Sequence, residues 1–278
     1  MLLKSLRYLS LCAVVPLLAA PADAGEVLDR VMSTKILTLA SDPAYPPQSF
    51  LNDQNQMDGF DVDVAKEIAK RLGAELKIIT PAWEIITAGR WGGRWDVSVG
   101  SMTPTKARAQ VLDFPAVYYF TPASFVVHKD SAVSKVADLN GKTIGVCGAC
   151  TYENYLNKNL EIDAEGVPSF TYDVDAGTIR TYDTDTNALD DLRIGDGKRL
   201  DAVLSALPTL QEAIKSGYPL KVVGDPVFYE PLSVATDKSD PAFSAKIKEI
   251  VEAMHGDGTL SKLSKKWYGV DLSKVSTN

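Results

Sequence analysis

Gly100-Ser101-Met102-Thr103-Pro104-Thr105-Lys106-Ala107-Arg108 follows the apolar run Val97-Ser98-Val99 and gathers hydroxyls and cations within nine residues. Ligands of open α/β sheets sit beyond the carboxyl ends of parallel strands. A carboxylate there is matched by a planar guanidinium, which meets both oxygens, and by donors that replace lost water. Arg108 is a candidate for that work, although a lone arginine in a surface turn is the commoner arrangement. Gly145-Val146-Cys147-Gly148-Ala149-Cys150-Thr151-Tyr152-Glu153 reads as a strand, a glycine-containing turn and a helix start, where free N–H groups favour an anion. Cys147 and Cys150 admit three readings: a small rigidifying disulfide, two free thiols, or a reactive pair of the kind thiol oxidoreductases place at a helix start. With His128 and His255 as the only histidines, neither a metal site nor a cofactor is expected.

The ends of the chain narrow the setting. Lys4 and Arg7 precede an apolar run from Leu9 to Ala20, and Ala22-Asp23-Ala24 is a small-x-small site before Gly25. This is a secretory signal peptide over residues 1–24, cut after Ala24, and it directs the protein to the periplasm. Cys12 follows Leu11 near the start of the run, so acyl anchoring is not expected. Losing Lys4, Arg7 and Asp23 takes the formal charge from -7 to -8. An acidic chain without a basic stripe argues against nucleic acid. The remaining length suits one large domain or two of typical size.

The elements that must carry these residues alternate between Val/Ile-rich runs and helical patterns, as in an α/β fold with mainly parallel strands. Ile36–Leu39, Leu76–Ile79 and 97–99 are strands separated by helices at 61–72 and near 84–90. A second set has strands at 124–127, 143–146 and 202–204, with helices near 151–158, 186–193 and 208–216. Tyr118 to Pro122 and Val223 to Pro231 are aromatic, proline-containing extended segments that suit two linking strands. Two amphipathic helices follow, the first capped by Asp240-Pro241 and ended by Gly256.

Gly59-Phe60-Asp61-Val62-Asp63-Val64-Ala65-Lys66-Glu67-Ile68-Ala69-Lys70-Arg71-Leu72-Gly73 is, as physics, an amphipathic helix with acids in its first turn and cations in its last. As a string it resembles the signature of the family 3 solute-binding proteins of bacterial polar amino acid ABC transporters, in which Gly-Phe-acidic-apolar-acidic opens the first long helix. The resemblance runs from Lys35 to Asp271. It implies a periplasmic binding protein-like (type II) α/β fold with two lobes joined by two hinge strands: 25–120 plus 227–278 for the first lobe and 121–226 for the second. It also implies a monomer that closes on a small carboxylate-bearing ligand, an amino acid or a derivative, and presents it to an ABC permease of the inner membrane. Other readings keep the fold but make it a dehydratase of a cyclic carboxylic acid, a sensor module or an accessory binding protein.

Carried over position by position, the resemblance makes Arg108 the carboxylate anchor, with the Thr103 hydroxyl and the Ser101 and Thr103 N–H groups as donors. Thr151 adds a hydroxyl and an N–H from the second lobe, and the Tyr45 ring, with Phe50 behind it, meets the ligand side chain. Trp83 is placed either on the cleft floor or in the core. Trp91, Trp95 and Trp267 are read as structural, and Tyr118, Tyr119, Phe228 and Tyr229 as candidates for the hinge side of the cleft. One position departs from the family: the acid that usually pairs with the ligand ammonium, five residues after Asp201, is Ala206. An unpaired ammonium in a dry cleft costs several kcal/mol. Either Asp183, Asp185 or Glu230 substitutes, with Asp185 taken into the site, or the ligand lacks a free α-amino group. As helix caps or solvated acids these three would have no such role.

Overall fold

The computed structural model describes residues 25–274, and the signal peptide read at 1–24 lies outside them. The first part of the chain forms α1 (Glu26–Thr34), β1 (Ile36–Ala40), β2 (Ala44–Tyr45), β3 (Ser49–Leu51), β4 (Met57–Asp58), α2 (Phe60–Leu72), β5 (Glu75–Ile79), α3 (Trp83–Thr87) and β6 (Val97–Met102). A long strand, β7 (Leu112–His128), leads to β8 (Thr143–Cys147), α4 (Thr151–Leu156), β9 (Thr178–Tyr182), α5 (Asp185–Leu192), β10 (Ala202–Ala206) and α6 (Leu207–Lys215). A second long strand, β11 (Leu220–Asp237), returns to α7 (Pro241–Gly256) and α8 (Thr259–Tyr268).

The main sheet runs β5-β1-β6-β11-β7-β10-β8-β9. β1 is parallel to β5 and β6, and β8 is parallel to β9 and β10. Each parallel group is the floor of one lobe. β11 pairs antiparallel with both β6 and β7, and β7 with β10, so the two lobes share one ribbon. The segments expected to link the lobes lie in the middle of that ribbon, with Tyr229 opposite Pro122 and Pro231 opposite Phe120. Prolines there interrupt the ladder, and the register slips between Val223 and Phe228.

Helix α2 shows how the first lobe is built. Val62, Ala65, Ile68, Ala69 and Leu72 are buried as their spacing predicts, together with Phe60 and Val64, in a cluster shared with Phe243, Ile247 and Met254 of α7. Gly59 permits the helix to start where it does. Its φ is 127°, and a Cβ on it would stand 2.2 Å from the Gln48 carbonyl oxygen. The second lobe packs Phe125, Val146, Leu204 and Phe228 on one face of the sheet and Leu189, Leu192 and Leu210 on the other.

Five elements went unread in the sequence. α1 follows the expected cleavage point directly, the β2-β3-β4 sheet is made of strands of two or three residues, and β9 is an edge strand with half-exposed residues. α1 does carry an apolar face, with Val31 buried and Val27 and Leu28 packed against the first-lobe core, whereas the short strands and β9 lack the apolar periodicity on which the strand assignments rest. No helix among the described residues is long and apolar enough to cross a membrane.

Gly59→Ala should lower unfolding stability by about 2 kcal/mol or more, because the Cβ meets backbone at a forbidden φ. Gly73→Ala, at φ 65° with nothing within 4 Å of the new Cβ, should cost about 1 kcal/mol. Urea midpoints of the two variants check the ordering.

Candidate functional site

Asp61, in the first turn of α2, is fully buried and accepts hydrogen bonds from the Tyr118 hydroxyl and from Ser101 Oγ, both at 2.7 Å. The Ser101 N–H in turn donates to the Tyr118 hydroxyl at 2.8 Å. Ser101 has φ 55°, a left-handed conformation that an L-residue holds only when its surroundings insist. The buried carboxylate and the hinge tyrosine are what insist, and they aim the Gly100–Arg108 segment. Burial pushes Asp61 up to about 7 against the lowering effect of its two donors. The sequence suggested only an acid complementing the helix dipole.

Tyr45, Trp83, Ser101, Thr103, Arg108, Thr151 and Asp185 all line one cavity between the lobes. Several of their polar groups are bonded within the protein, while the buried Trp83 indole N–H has no partner. The Ser101 N–H, expected to face a ligand, is taken by Tyr118, and the hydroxyls of Thr103, at 2.8 Å, and Thr151 both donate to Glu230 Oε1. Glu230, half-way along β11, is buried and joins the two lobes through those threonines. Burial raises its pKa, while the donors and the Arg108 charge oppose the rise.

Arg108 opens a turn of 3-10 helix just after the β6 loop and is itself buried. Nη1 donates to the Thr103 carbonyl at 3.0 Å and Nη2 crosses the cleft to the Ala149 carbonyl at 2.7 Å. The guanidinium carbon sits 5.6 Å from the Trp83 ring centroid, a cation–π distance. Burial pulls Arg108 down to about 10, which leaves it charged at neutral pH.

The acceptor turn depends on the cysteines. A disulfide joins Cys147 to Cys150, with Cα atoms 5.6 Å apart. Ala149, between them, has φ 58° and donates its N–H to Glu153 Oε2 at 2.8 Å. The bridge thus holds the one carbonyl that receives Arg108 from the other lobe, and it makes neither free thiols nor a metal pair of these two residues.

Other expectations need correction. None of Tyr118, Tyr119, Phe228 or Tyr229 lines the cavity: the first three are packed in the lobe cores and Tyr229 is exposed. Phe50 does not back Tyr45 but meets Trp267 edge-on with centroids 6.0 Å apart. Trp91 and Trp95 pack together in the core, and the Trp267 indole donates to Asp63 at 2.9 Å. The aromatic residue that sequence reasoning missed is Tyr152, whose hydroxyl lies 3.2 Å from that of Tyr45 across the cleft. Its position next to Thr151 at the helix start was the available signal. Ala206 is buried in the apolar cluster of the second lobe and is not part of the lining.

Residues 37–270 match the family described as bacterial extracellular solute-binding proteins, family 3. The L-cystine-binding protein TcyJ of Escherichia coli (strain K12) is 31% identical over 256 residues, covering 91% of this chain and 90% of that protein. Among solved structures, a mutant of ArgBP from T. maritima has a TM-score of 0.76 at 27% identity, covering 87% of this chain and 99% of its own. An ancestral amino acid-binding protein, AncCDT-1, described as a precursor of cyclohexadienyl dehydratase, has a TM-score of 0.73 at 28% identity with the same two coverages, 87% and 99%.

Two predictions follow from the buried groups and the bridge. Asp61 titrates near 7 in the fold but near 3.9 when unfolded, so folding takes up a proton between these values. Its contribution favours the fold below about pH 4, declines as pH rises to about 7 and is flat above. Asp61→Asn removes that slope, so its stability relative to wild type should improve between pH 5 and pH 8, as read from urea midpoints. Cys147→Ser with Cys150→Ser should cost about 2 kcal/mol for so short a loop, and denatured, unreduced wild-type protein should show no reactive thiol among residues 25–274.

Proposed function

Because the chain belongs to the bacterial extracellular solute-binding proteins, family 3, we propose that it captures an amino acid or amino-acid derivative in the periplasm and delivers it to an ABC permease. The observation that carries this reading is the convergence of Arg108, Thr103 and Thr151, from opposite lobes, on one cavity. Arg108 grips the ligand carboxylate in place of the Ala149 carbonyl. Thr103, Ser101 and Thr151 border the carboxylate, Tyr45 and Trp83 flank the side chain, and Asp185 lies beyond. Closure is favoured by whatever contacts the ligand makes to both lobes at once. The lobes divide as 25–120 plus 227–278 and 121–226, the protein acts as a monomer, and a leader removed after Ala24 brings it to the periplasm.

Relatives whose names speak of amino acids or cystine support the ligand class. The precursor of a dehydratase among the similar structures, with a buried acid such as Glu230 in the cavity, supports an enzymatic alternative in which Glu230 would protonate a leaving group. Turnover of a cyclic carboxylic acid at catalytic enzyme concentrations would favour that alternative, and reversible one-to-one binding favours transport.

An amino acid present at a hundred times its dissociation constant should stabilise the protein by about 2.7 kcal/mol, visible as a thermal shift. Arg108→Ala should abolish the shift for every carboxylate tested. Micromolar affinity retained in that variant would overturn the assigned anchor.

A further inference from the structure

The cavity carries more negative charge than a simple zwitterion would need. Asp42, Asp183, Asp185 and Glu230 line it, and Arg108 is the one cation among the described lining residues. Acids in a cleft are not by themselves a site. Here, however, two of them are more than nine-tenths buried and each leaves an oxygen without a hydrogen bond: Oε2 of Glu230 and Oδ1 of Asp185. A buried carboxylate oxygen without a well-formed hydrogen bond is costly; the Ser205 hydroxyl acts on Asp185 and the Tyr152 hydroxyl on Glu230, and both acids line the same cavity.

Their order along the cavity follows from their neighbours. Glu230 is the acid that acts on the Arg108 charge, and it shares Thr103 with it: the hydroxyl goes to the carboxylate and the carbonyl to the guanidinium. Asp185 stands by the Cys147–Cys150 bridge, a carboxylate oxygen within 4.8 Å of both sulfurs, and is influenced by Asp42 and Glu230, while Tyr45 and Tyr152 each feel both Asp185 and Glu230. The α-carboxylate and α-ammonium of an amino acid are attached to one carbon. A carboxylate held by Arg108 therefore puts the ammonium beside the acid nearest Arg108, which is Glu230, and sends the side chain past Tyr45 and Tyr152 towards Asp185.

The geometry points to two cation subsites, with Glu230 holding the α-ammonium in place of the acid absent at Ala206 and Asp185 holding a second cationic nitrogen on the ligand side chain. The ligand class is then a monocarboxylic amino acid with a basic side chain. A second carboxylate at the far end would meet Asp185 and Asp42 without any cation to receive it. This inference rests on the proposed binding function and narrows it.

Protons are linked to this binding. Asp185 is pushed up to about 7 by burial and by Asp42 and Glu230. The groups that face it are Asp42 and Tyr45 from the first lobe, Tyr152 from α4, Asp183 and Ser205 from the second lobe and Glu230 from β11, none of them cationic. A cationic side chain favours the ionised carboxylate, so its arrival releases a proton at and below pH 7, and affinity falls as pH drops through that range.

The test is calorimetry on the mature, ligand-free protein at pH 8 and pH 6.5, with L-arginine and L-lysine set against their uncharged counterparts L-citrulline and L-norleucine, and with L-cystine. L-Arginine or L-lysine is expected to bind at least a hundredfold more tightly than its neutral counterpart and to release protons at pH 6.5. Asp185→Asn should bring that ratio within about fivefold and abolish the proton release. Glu230→Gln should weaken all α-amino acids at least a hundredfold. Both variants replace buried charge by an amide of the same shape, and thermal unfolding of the empty proteins checks that they fold. Equal binding of charged and neutral partners, a charge preference that survives Asp185→Asn, or tightest binding of L-cystine would each overturn the two-cation assignment. If L-citrulline and L-norleucine bind without preference but need Arg108, only this assignment fails. If none of the five binds, the amino acid-binding reading fails with it.

Discussion

A buried carboxylate ties this molecule together. Glu230 lies on one of the two long strands common to both lobes, and one of its oxygens accepts from Thr103 of the first lobe and Thr151 of the second. An ionised acid out of water is tolerated only where donors and a counter-charge surround it. The site therefore has to bring two hydroxyls and the Arg108 guanidinium from separate elements to one point, and those elements can meet there only if the lobes approach. The contact that partners one oxygen of Glu230 is thus also a contact of closure.

A second buried acid does the same for the scaffold. Asp61 fixes Tyr118 and Ser101, and through them the left-handed turn that carries the strand β6 into the Arg108 loop. On the opposite side the disulfide fixes the turn that offers the Ala149 carbonyl to Arg108. Both walls of the cavity are therefore held before any ligand binds, which lessens the ordering cost of binding. What must move is the distance between the lobes. The middle of the β7–β11 ribbon, where prolines interrupt the ladder and the register slips, is the part of the sheet least tied by regular hydrogen bonds.

The helices and parallel strands were readable because each carries its own period: α2 buries the residues its spacing nominates, and β1, β5, β8 and β10 lie where the Val/Ile runs stand. The cavity was partly readable because Arg108, Thr103 and Thr151 occur at strand and helix ends, where local sequence has a direct geometric meaning. Tyr152 and Glu230 were harder. Nothing in their neighbours in sequence says that one hydroxyl meets Tyr45 from the other lobe or that the acid in an aromatic strand turns inward rather than to water. The hinge tyrosines misled for the same reason: alternation along a strand says which residues share a face, but not which face the cleft occupies.

The sequence by itself determined the two-lobed α/β architecture, the family signature at Gly59–Gly73, the acidic charge, the close spacing of Cys147 and Cys150 and the absence of an acid at position 206, since each is a local pattern or a residue type. Only the tertiary structure decided that Glu230 and Asp185 share a cavity with Arg108, that Asp61 supports Ser101, and that the Cys147–Cys150 turn receives Arg108. These pairings join residues from about 40 to more than 120 positions apart. Their meaning is electrostatic, and the strength of an electrostatic interaction depends on burial and distance, which exist only once the chain has folded.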